Sequence, residues 1–198
     1  VLKKAIEEFG FPIFTKPANM GSSVGISKCS GGSDLLEGIL EAARYDRRVL
    51  IEQGIDAREI EISVLGNEFP KASIPGEIVP CDEFYSYDAK YVDDDSELLI
   101  PAPISAEFAE ELRDVAVRAY KAIDCAGMAR VDFLLDKKTG KYFLNEVNTI
   151  PGFTQISMYP KLWQATGLTY ASLVDELISL ALDRRAEQDE TIYIYDGN

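Results

Sequence analysis

The sequence predicts an α+β fold built mainly on antiparallel sheet, with helices flanking it, and two observations carry that expectation. Strand-like and helix-like stretches mix without the regular strand–helix alternation that builds a parallel sheet. Pairs of strand-like stretches are also parted by short turn signals, so hairpins are evident.

Each element follows from its own residues. Residues 1–9 have the pattern of a helix end, and Gly10 supplies the C-cap. FPIFTK (11–16) is a short apolar strand ending on a lysine, ANMGSS (18–23) a small polar loop, and VGISK (24–28) the returning strand. Ser33 is suited to N-cap a helix through Ala43, with Asp34 and Glu37 in a first turn that favours negative charge. VLIEQ (49–53) and EIEISVLGN (59–67) read as strands parted by GIDAR. The stretch from about 75 to 100 is rich in Pro, Asp, Glu and Tyr, and its length fits a lid or a disordered loop. From Ser105 to Asp124, Phe108, Leu112, Val115, Ala119 and Ala122 recur at helical spacing. MARVDFLLD and KYFLNEVN flank KKTG, where Gly140 suits a bulged hairpin turn. A last helix covers about 169–187, and TIYIY is a terminal strand or tail.

Composition narrows the function. A net charge of −14 argues against nucleic acid or an anionic membrane surface as partner, since both select basic faces. No apolar run approaches the roughly 20 residues needed to span a bilayer. Three cysteines without C-x-x-C spacing fit reduced thiols in a cytoplasm rather than disulfides or zinc. The chain contains no histidine, so any chemistry that needs a histidine base or ligand is excluded. It does not begin with Met, which fits a piece of a longer chain.

The hairpin is the most informative feature. Residues two apart on a strand share a face, so Arg130 lies with Asp132 and Glu146 with Asn148. With KTG as the turn, Asp132 falls opposite Glu146 and Arg130 opposite Asn148. Two carboxylates and an amide oxygen on one face make a hard-oxygen cage for Mg²⁺ or Mn²⁺. The plainer alternative is a solvated face with an Arg130–Asp132 pair; the interleaved Val131, Phe133, Leu144 and Val147 favour a core-packed hairpin carrying a polar face.

Other segments point to phosphate. Lys16 precedes a loop holding Gly21, Ser22, Ser23 and Gly25, whose backbone N–H groups can cradle anionic oxygens, or which is simply a tight turn. The loop matches G-x-S-x-G, but a nucleophile elbow needs a histidine. IPGFTQIS (150–157) follows the hairpin, and Ser157 is placed to N-cap the next helix. FYSYDAKY (84–91) sets Lys90 in an aromatic-rich stretch, and Asp93, Asp94 and Asp95 read as solvated surface.

Five strings together, FTKPANMGSSVGISK, ISVLGN, FYSYDAKY, GMARVDFLLD and LNEVNTIPGFTQISMYPKLW, resemble the D-alanine–D-alanine ligase family, in the family's order and over nearly the whole chain to about residue 181. The resemblance implies an ATP-grasp fold, with residues 1–55 a partial central subdomain and 56–198 the C-terminal subdomain holding the magnesium and second-substrate site. It also implies an ATP-dependent ligase that joins two D-alanines through an acyl phosphate for peptidoglycan precursors, in the cytoplasm and as a homodimer at full length. The alternatives are a related ATP-grasp ligase forming D-Ala–D-lactate or D-Ala–D-serine and, from another class, a non-catalytic nucleotide-binding module.

By the same resemblance, Lys16 and Lys90 contact ATP phosphates. Glu52 and Ile55 lie beside the adenine, and Glu59 at the ribose. Ser22 sits in the loop over the phosphates, and Tyr91 locks the lid to it. Arg130 stands near the reacting carboxyl; Asp132, Glu146 and Asn148 hold Mg²⁺ or Mn²⁺; Gly152 and Ser157 bind the second D-alanine. The family's N-terminal domain and an earlier ATP-contacting lysine have no counterpart here, so this chain alone is expected to make little product.

Overall fold

The computed structural model describes residues 2–79, 97–154 and 156–192. Cys81, Lys90, Tyr91, the acidic run at 93–95, most of the expected lid and most of TIYIY therefore lie outside the described residues. The chain divides into two compact units, one comprising the residues up to Ala57 with Asp136–Thr139, the other Arg58–Val79, Leu98–Leu135 and the residues from Gly140 on.

The first unit holds helix α1 (Leu2–Phe9), strand β1 (Ile13–Pro17), strand β2 (Ser27–Cys29), helix α2 (Gly32–Ala42) and strand β3 (Val49–Gln53). The strands form an antiparallel sheet in the order β2-β1-β3. Gly10 closes α1 as expected: at φ +67° its N–H donates to the Ile6 carbonyl at 3.0 Å. Ile13, Cys29 and Leu35 are buried, with Leu2, Ile6, Phe9, Ile39 and Ile51 packed around them. Gly38 lets α2 lie close on the sheet, because a Cβ there would meet Thr15 Oγ1 at 2.5 Å.

Two local expectations change here. The N-cap of α2 is Gly31, with no side-chain bond, and not Ser33. Asp34, in the first turn, accepts instead from the Ser30 N–H at 3.1 Å and so satisfies a donor ahead of the helix. The returning strand is only Ser27–Cys29, because Ser22, Ser23 and Gly25 take positive φ and turn the chain where VGISK was expected to be extended.

The second unit is a larger sheet with three helices. Its strands are β4 (Ala57–Leu65), β5 (Lys71–Ala72), β6 (Gly76–Val79), β7 (Glu97–Leu99), β8 (Met128–Asp136) and β9 (Tyr142–Asn148), in the order β7-β6-β4-β8-β9 with β5 also on β4. Helix α3 (Ala106–Ala122) is capped by Ser105, whose hydroxyl accepts from the Phe108 N–H at 3.2 Å. Helices α4 (Met158–Thr166) and α5 (Tyr170–Glu190) complete it.

Alternation along the strands sorts the residues by face. Ile60, Ile62 and Val64 of β4 and Ala129, Val131, Phe133 and Leu135 of β8 share one core with Leu112, Ala116 and Tyr120 of α3. Ala122, expected on the apolar stripe of that helix, is exposed at its end. The odd-numbered β4 residues face the other way, where Ser63 Oγ donates to the Tyr159 carbonyl at 3.2 Å and the Tyr159 hydroxyl donates to the Val64 carbonyl at 3.1 Å. Trp163 and Leu173 join Tyr159 in a second cluster. Among the described residues no helix is long and apolar enough to cross a membrane.

Candidate functional site

The β8–β9 hairpin carries the site. Near its turn the ladder pairs Leu135 with Tyr142 and Phe133 with Leu144, one residue tighter than expected from KTG. Asn145 is then an extra residue, a β-bulge, and beyond it the expected pairs appear: Asp132 with Glu146, Val131 with Val147, Arg130 with Asn148. The bulge reconciles two demands of the sequence. Tyr142 and Val147 both pack on the α3 core yet lie five residues apart, an odd number that an unbroken strand sends to opposite faces.

On the polar face the expected residues converge. Arg130 Nε donates to Asp132 Oδ1 at 2.8 Å and Nη2 to Oδ2 at 2.7 Å, a two-pronged pair. Asn148 Nδ2 donates to Asp132 Oδ2 and to Glu146 Oε1, each at 3.0 Å. Arg130 Nε also lies 3.1 Å from Glu61 Oε2 of β4. Burial works against the Arg130 charge, but the hydrogen bonds to Asp132 and the negative fields of Glu61, Asp132 and Glu146 outweigh it and hold the guanidinium pKa above its ordinary value.

The donor set fits a hard divalent cation. Asp132 and Glu146 offer carboxylate oxygens, and a half-turn of the Asn148 amide exchanges its NH₂ for an oxygen facing them. Among the described residues no three His, Cys, Asp or Glu side chains gather to hold a metal by themselves, so a cation here would need the amide oxygen as a further donor. Nucleotide phosphates complete such a shell in enzymes that transfer phosphoryl groups.

The loop after β9 folds on itself. Ser157 stands at the N-cap of α4, but its side chain makes no cap bond. Its Oγ instead accepts from the Thr154 N–H at 3.0 Å and shares a 2.8 Å bond with the Thr154 hydroxyl. Gly152 lies against it, since a Cβ there would meet Ser157 Oγ at 2.9 Å. Phe153 anchors the loop on Tyr159 and Tyr170, with ring centres 5.8 and 5.4 Å away.

In the first unit, Lys16 and Glu52 project from the sheet face opposite buried Ile13 and Thr15, and form an ion pair at 2.9 Å. Ser22 and Ser23 sit at φ 55° and 60°, strained positions for L-residues, each costing about 1–3 kcal/mol. Asn19 pins the base of this loop, its N–H and Nδ2 both donating to Asp46 Oδ2 at 2.9 and 2.7 Å. Ile55 follows β3, and Glu59 lies on β4; both are half-buried.

Glu61 and Thr154 are the residues that sequence reasoning missed. The signal for Glu61 was its two-residue spacing from Glu59, which marks a polar face on β4 but not the strand it adjoins.

The fold, α+β with mainly antiparallel sheets, is that of the ATP-grasp class, as its likeness to solved ligase structures shows. It superposes on the D-alanine-D-alanine ligase of Coxiella burnetii with a TM-score of 0.83 at 38% identity, covering 95% of this chain and 49% of that one. The VanG D-Ala:D-Ser ligase of Enterococcus faecalis gives 0.79 at 37% identity, covering 90% and 52%. Within that class the chain belongs to the D-ala D-ala ligase C-terminus family, whose model matches residues 1–179. A D-alanine–D-alanine ligase of Thermoanaerobacter sp. (strain X514) is 61% identical over 188 residues, 94% of this chain and 52% of the relative. That of Caldicellulosiruptor bescii is 54% identical over 196 residues, 99% and 54%. The chain spans about half the length of the curated relatives it matches.

Proposed function

We propose that this chain is the ATP-, magnesium- and second-substrate-binding part of an ATP-dependent ligase that joins two D-alanines for peptidoglycan precursors, working in the cytoplasm as a homodimer. The observation that supports it most is the convergence of Arg130, Asp132, Glu146 and Asn148 on one sheet face through bonds of 2.7–3.0 Å, in a chain of this family.

In this reading residues 1–55 are part of the central subdomain and 56–198 the C-terminal one. Lys16 and Lys90 bind phosphates, Glu52 and Ile55 the adenine, and Glu59 the ribose. Ser22 belongs to the loop over the phosphates, Tyr91 locks the lid to that loop, and Gly152 and Ser157 receive the second D-alanine. Asp132, Glu146 and Asn148 hold Mg²⁺ or Mn²⁺, which when bound neutralises phosphate charge. The carboxylate of one D-alanine attacks the γ-phosphorus of ATP, ADP leaves, and an acyl phosphate forms. The amine of the second D-alanine attacks that acyl carbon, phosphate leaves, and the nitrogen loses a proton. No protein nucleophile is needed, so the absence of histidine is no obstacle; Arg130 and the lysines offset developing negative charge.

The test is ATP hydrolysis by the polypeptide carrying this chain at the relatives' full length. Phosphate release is expected to depend on D-alanine and to yield the dipeptide. Release that ignores D-alanine overturns the reading. A mixed product with D-serine favoured assigns the relationship seen with the D-Ala:D-Ser ligase structure instead.

A further inference from the structure

We infer that Glu61 is a positioning residue that anchors Arg130, so that Asp132 can serve a cation; the inference rests on the reading of Asp132, Glu146 and Asn148 as a cation site. Both oxygens of Asp132 are engaged: Oδ1 by Arg130 Nε at 2.8 Å, Oδ2 by Arg130 Nη2 at 2.7 Å and Asn148 Nδ2 at 3.0 Å. A carboxylate offers about four lone-pair positions, and with most of them filled a divalent ion drawing on Asp132 competes with the guanidinium for it. Arg130 is largely buried, and a guanidinium losing its carboxylate there is strongly disfavoured unless a second acid takes the charge.

Glu61 is placed to be that acid. Its carboxylate is 3.1 Å from Arg130 Nε, and its side chain is only 6% exposed. It stands on β4, on the side of β8 away from β9, so the acid that steadies Arg130 and the strand that completes the cation trio flank β8 from opposite sides. Two acids on one arginine divide the work: one holds the guanidinium, and the other is released to the ion. This is the logic by which partners behind a metal ligand tune its affinity.

Reach separates anchoring from mere charge. Glu61→Gln removes the charge; Glu61→Asp keeps it but shortens the arm by one methylene, which takes it out of contact with Nε. The measurement is a Mn²⁺ titration of the chain by electron paramagnetic resonance. The site's share of binding is defined as the part lost in Glu146→Gln, since an acidic surface also gathers ions. Both Glu61 variants are expected to weaken that share about tenfold, the scale of a lost partner behind a metal ligand. In an Arg130→Met background, Glu61→Asp is expected to have an effect within about twofold of none, because the residue it acts through is gone. Thermal melts establish that the variants fold, and if Glu61→Gln does not, the charge-retaining Glu61→Asp carries the test. A Glu61→Asp titration like that of the parent overturns the anchor. A parent chain with no Glu146-dependent Mn²⁺ binding overturns the cation site and the anchor with it.

Discussion

Asp132 faces Glu146 across the hairpin because Asn145, the residue before Glu146, is bulged out of the ladder. An unbroken ladder from the turn would set Asp132 opposite Asn145 and drive the Glu146 carboxylate into the core beside Val131. Deleting Asn145 leaves a regular strand in which Phe133–Leu144, Asp132–Glu146 and Val131–Val147 still pair. The deletion is therefore expected to change stability by no more than about 1 kcal/mol and to keep cation binding. Inserting an alanine between Glu146 and Val147 puts one of the two on the wrong face and is expected to abolish both. Thermal melts and Mn²⁺ titrations of the two variants check this; a deletion that unfolds the chain refutes it.

Glu146→Gln keeps shape and removes one charged donor from the trio. Mg²⁺-dependent binding of a nucleotide analogue is expected to weaken by about tenfold or more. Calorimetry across a Mg²⁺ series reads it directly, and an unchanged Mg²⁺ dependence sinks the assignment of Glu146.

How much of this was legible beforehand differs by residue. The pairs Arg130–Asp132 and Glu146–Asn148 could be read because period-two spacing is local and needs no knowledge of neighbours. Glu61 could not be assigned a role, since which strand lies beside β8 is decided by long-range packing that EIEISVL does not encode. The bulge had a signal in the odd spacing of Tyr142 and Val147, but a turn of different length satisfies the same spacing until the register is known. Ser33 misled because propensity favours serine at an N-cap, whereas the site went to Gly31 once Asp34 satisfied the Ser30 N–H.

Arg58 of β4 donates to Glu77 of β6 through Nε at 2.8 Å and Nη2 at 2.6 Å, and Nη2 also reaches the Pro103 carbonyl at 3.1 Å. Glu77 is buried, so Arg58→Met strands a carboxylate without its counter-charge. The expected loss is about 3 kcal/mol, toward the low end for a broken buried pair because Arg58 is partly solvated. Urea denaturation of the variant measures it; a loss below about 1 kcal/mol marks the pair as an ordinary surface bridge.

Tyr120 and Tyr159 predict the alkaline limit of the fold. Burial pushes both phenol pKa values well above the ordinary value of 10.0. The folded state thus holds these protons more tightly than the unfolded chain does. Their stabilising contribution is complete below about pH 10 and is lost as pH rises from there toward the folded-state values, at about 1.4 kcal/mol per pH unit per group. Tyr120→Phe removes one such group along with the 2.7 Å bond its hydroxyl donates to the Gly66 carbonyl. It is expected to cost about 1 kcal/mol at pH 7 and to flatten the decline above pH 10. Urea melts between pH 7 and about 11.5 test both parts, and an undiminished slope in the variant refutes the second.

Strand β8 is one backbone thick, with the α3 core on one side and the polar site on the other. Ala129, Val131 and Phe133 serve the first, Arg130 and Asp132 the second, so five successive positions are each held by a demand from one side. A methylene added at Val131 strains the core it shares with α3 and, through the backbone it shares with its neighbours, shifts the carboxylate and guanidinium on the far side. Fitness for folding and fitness for chemistry are thus one trait along this strand. Substitutions there have nowhere neutral to fall, and a change that spoils the site without touching it is to be sought first among the alanines and valines behind it.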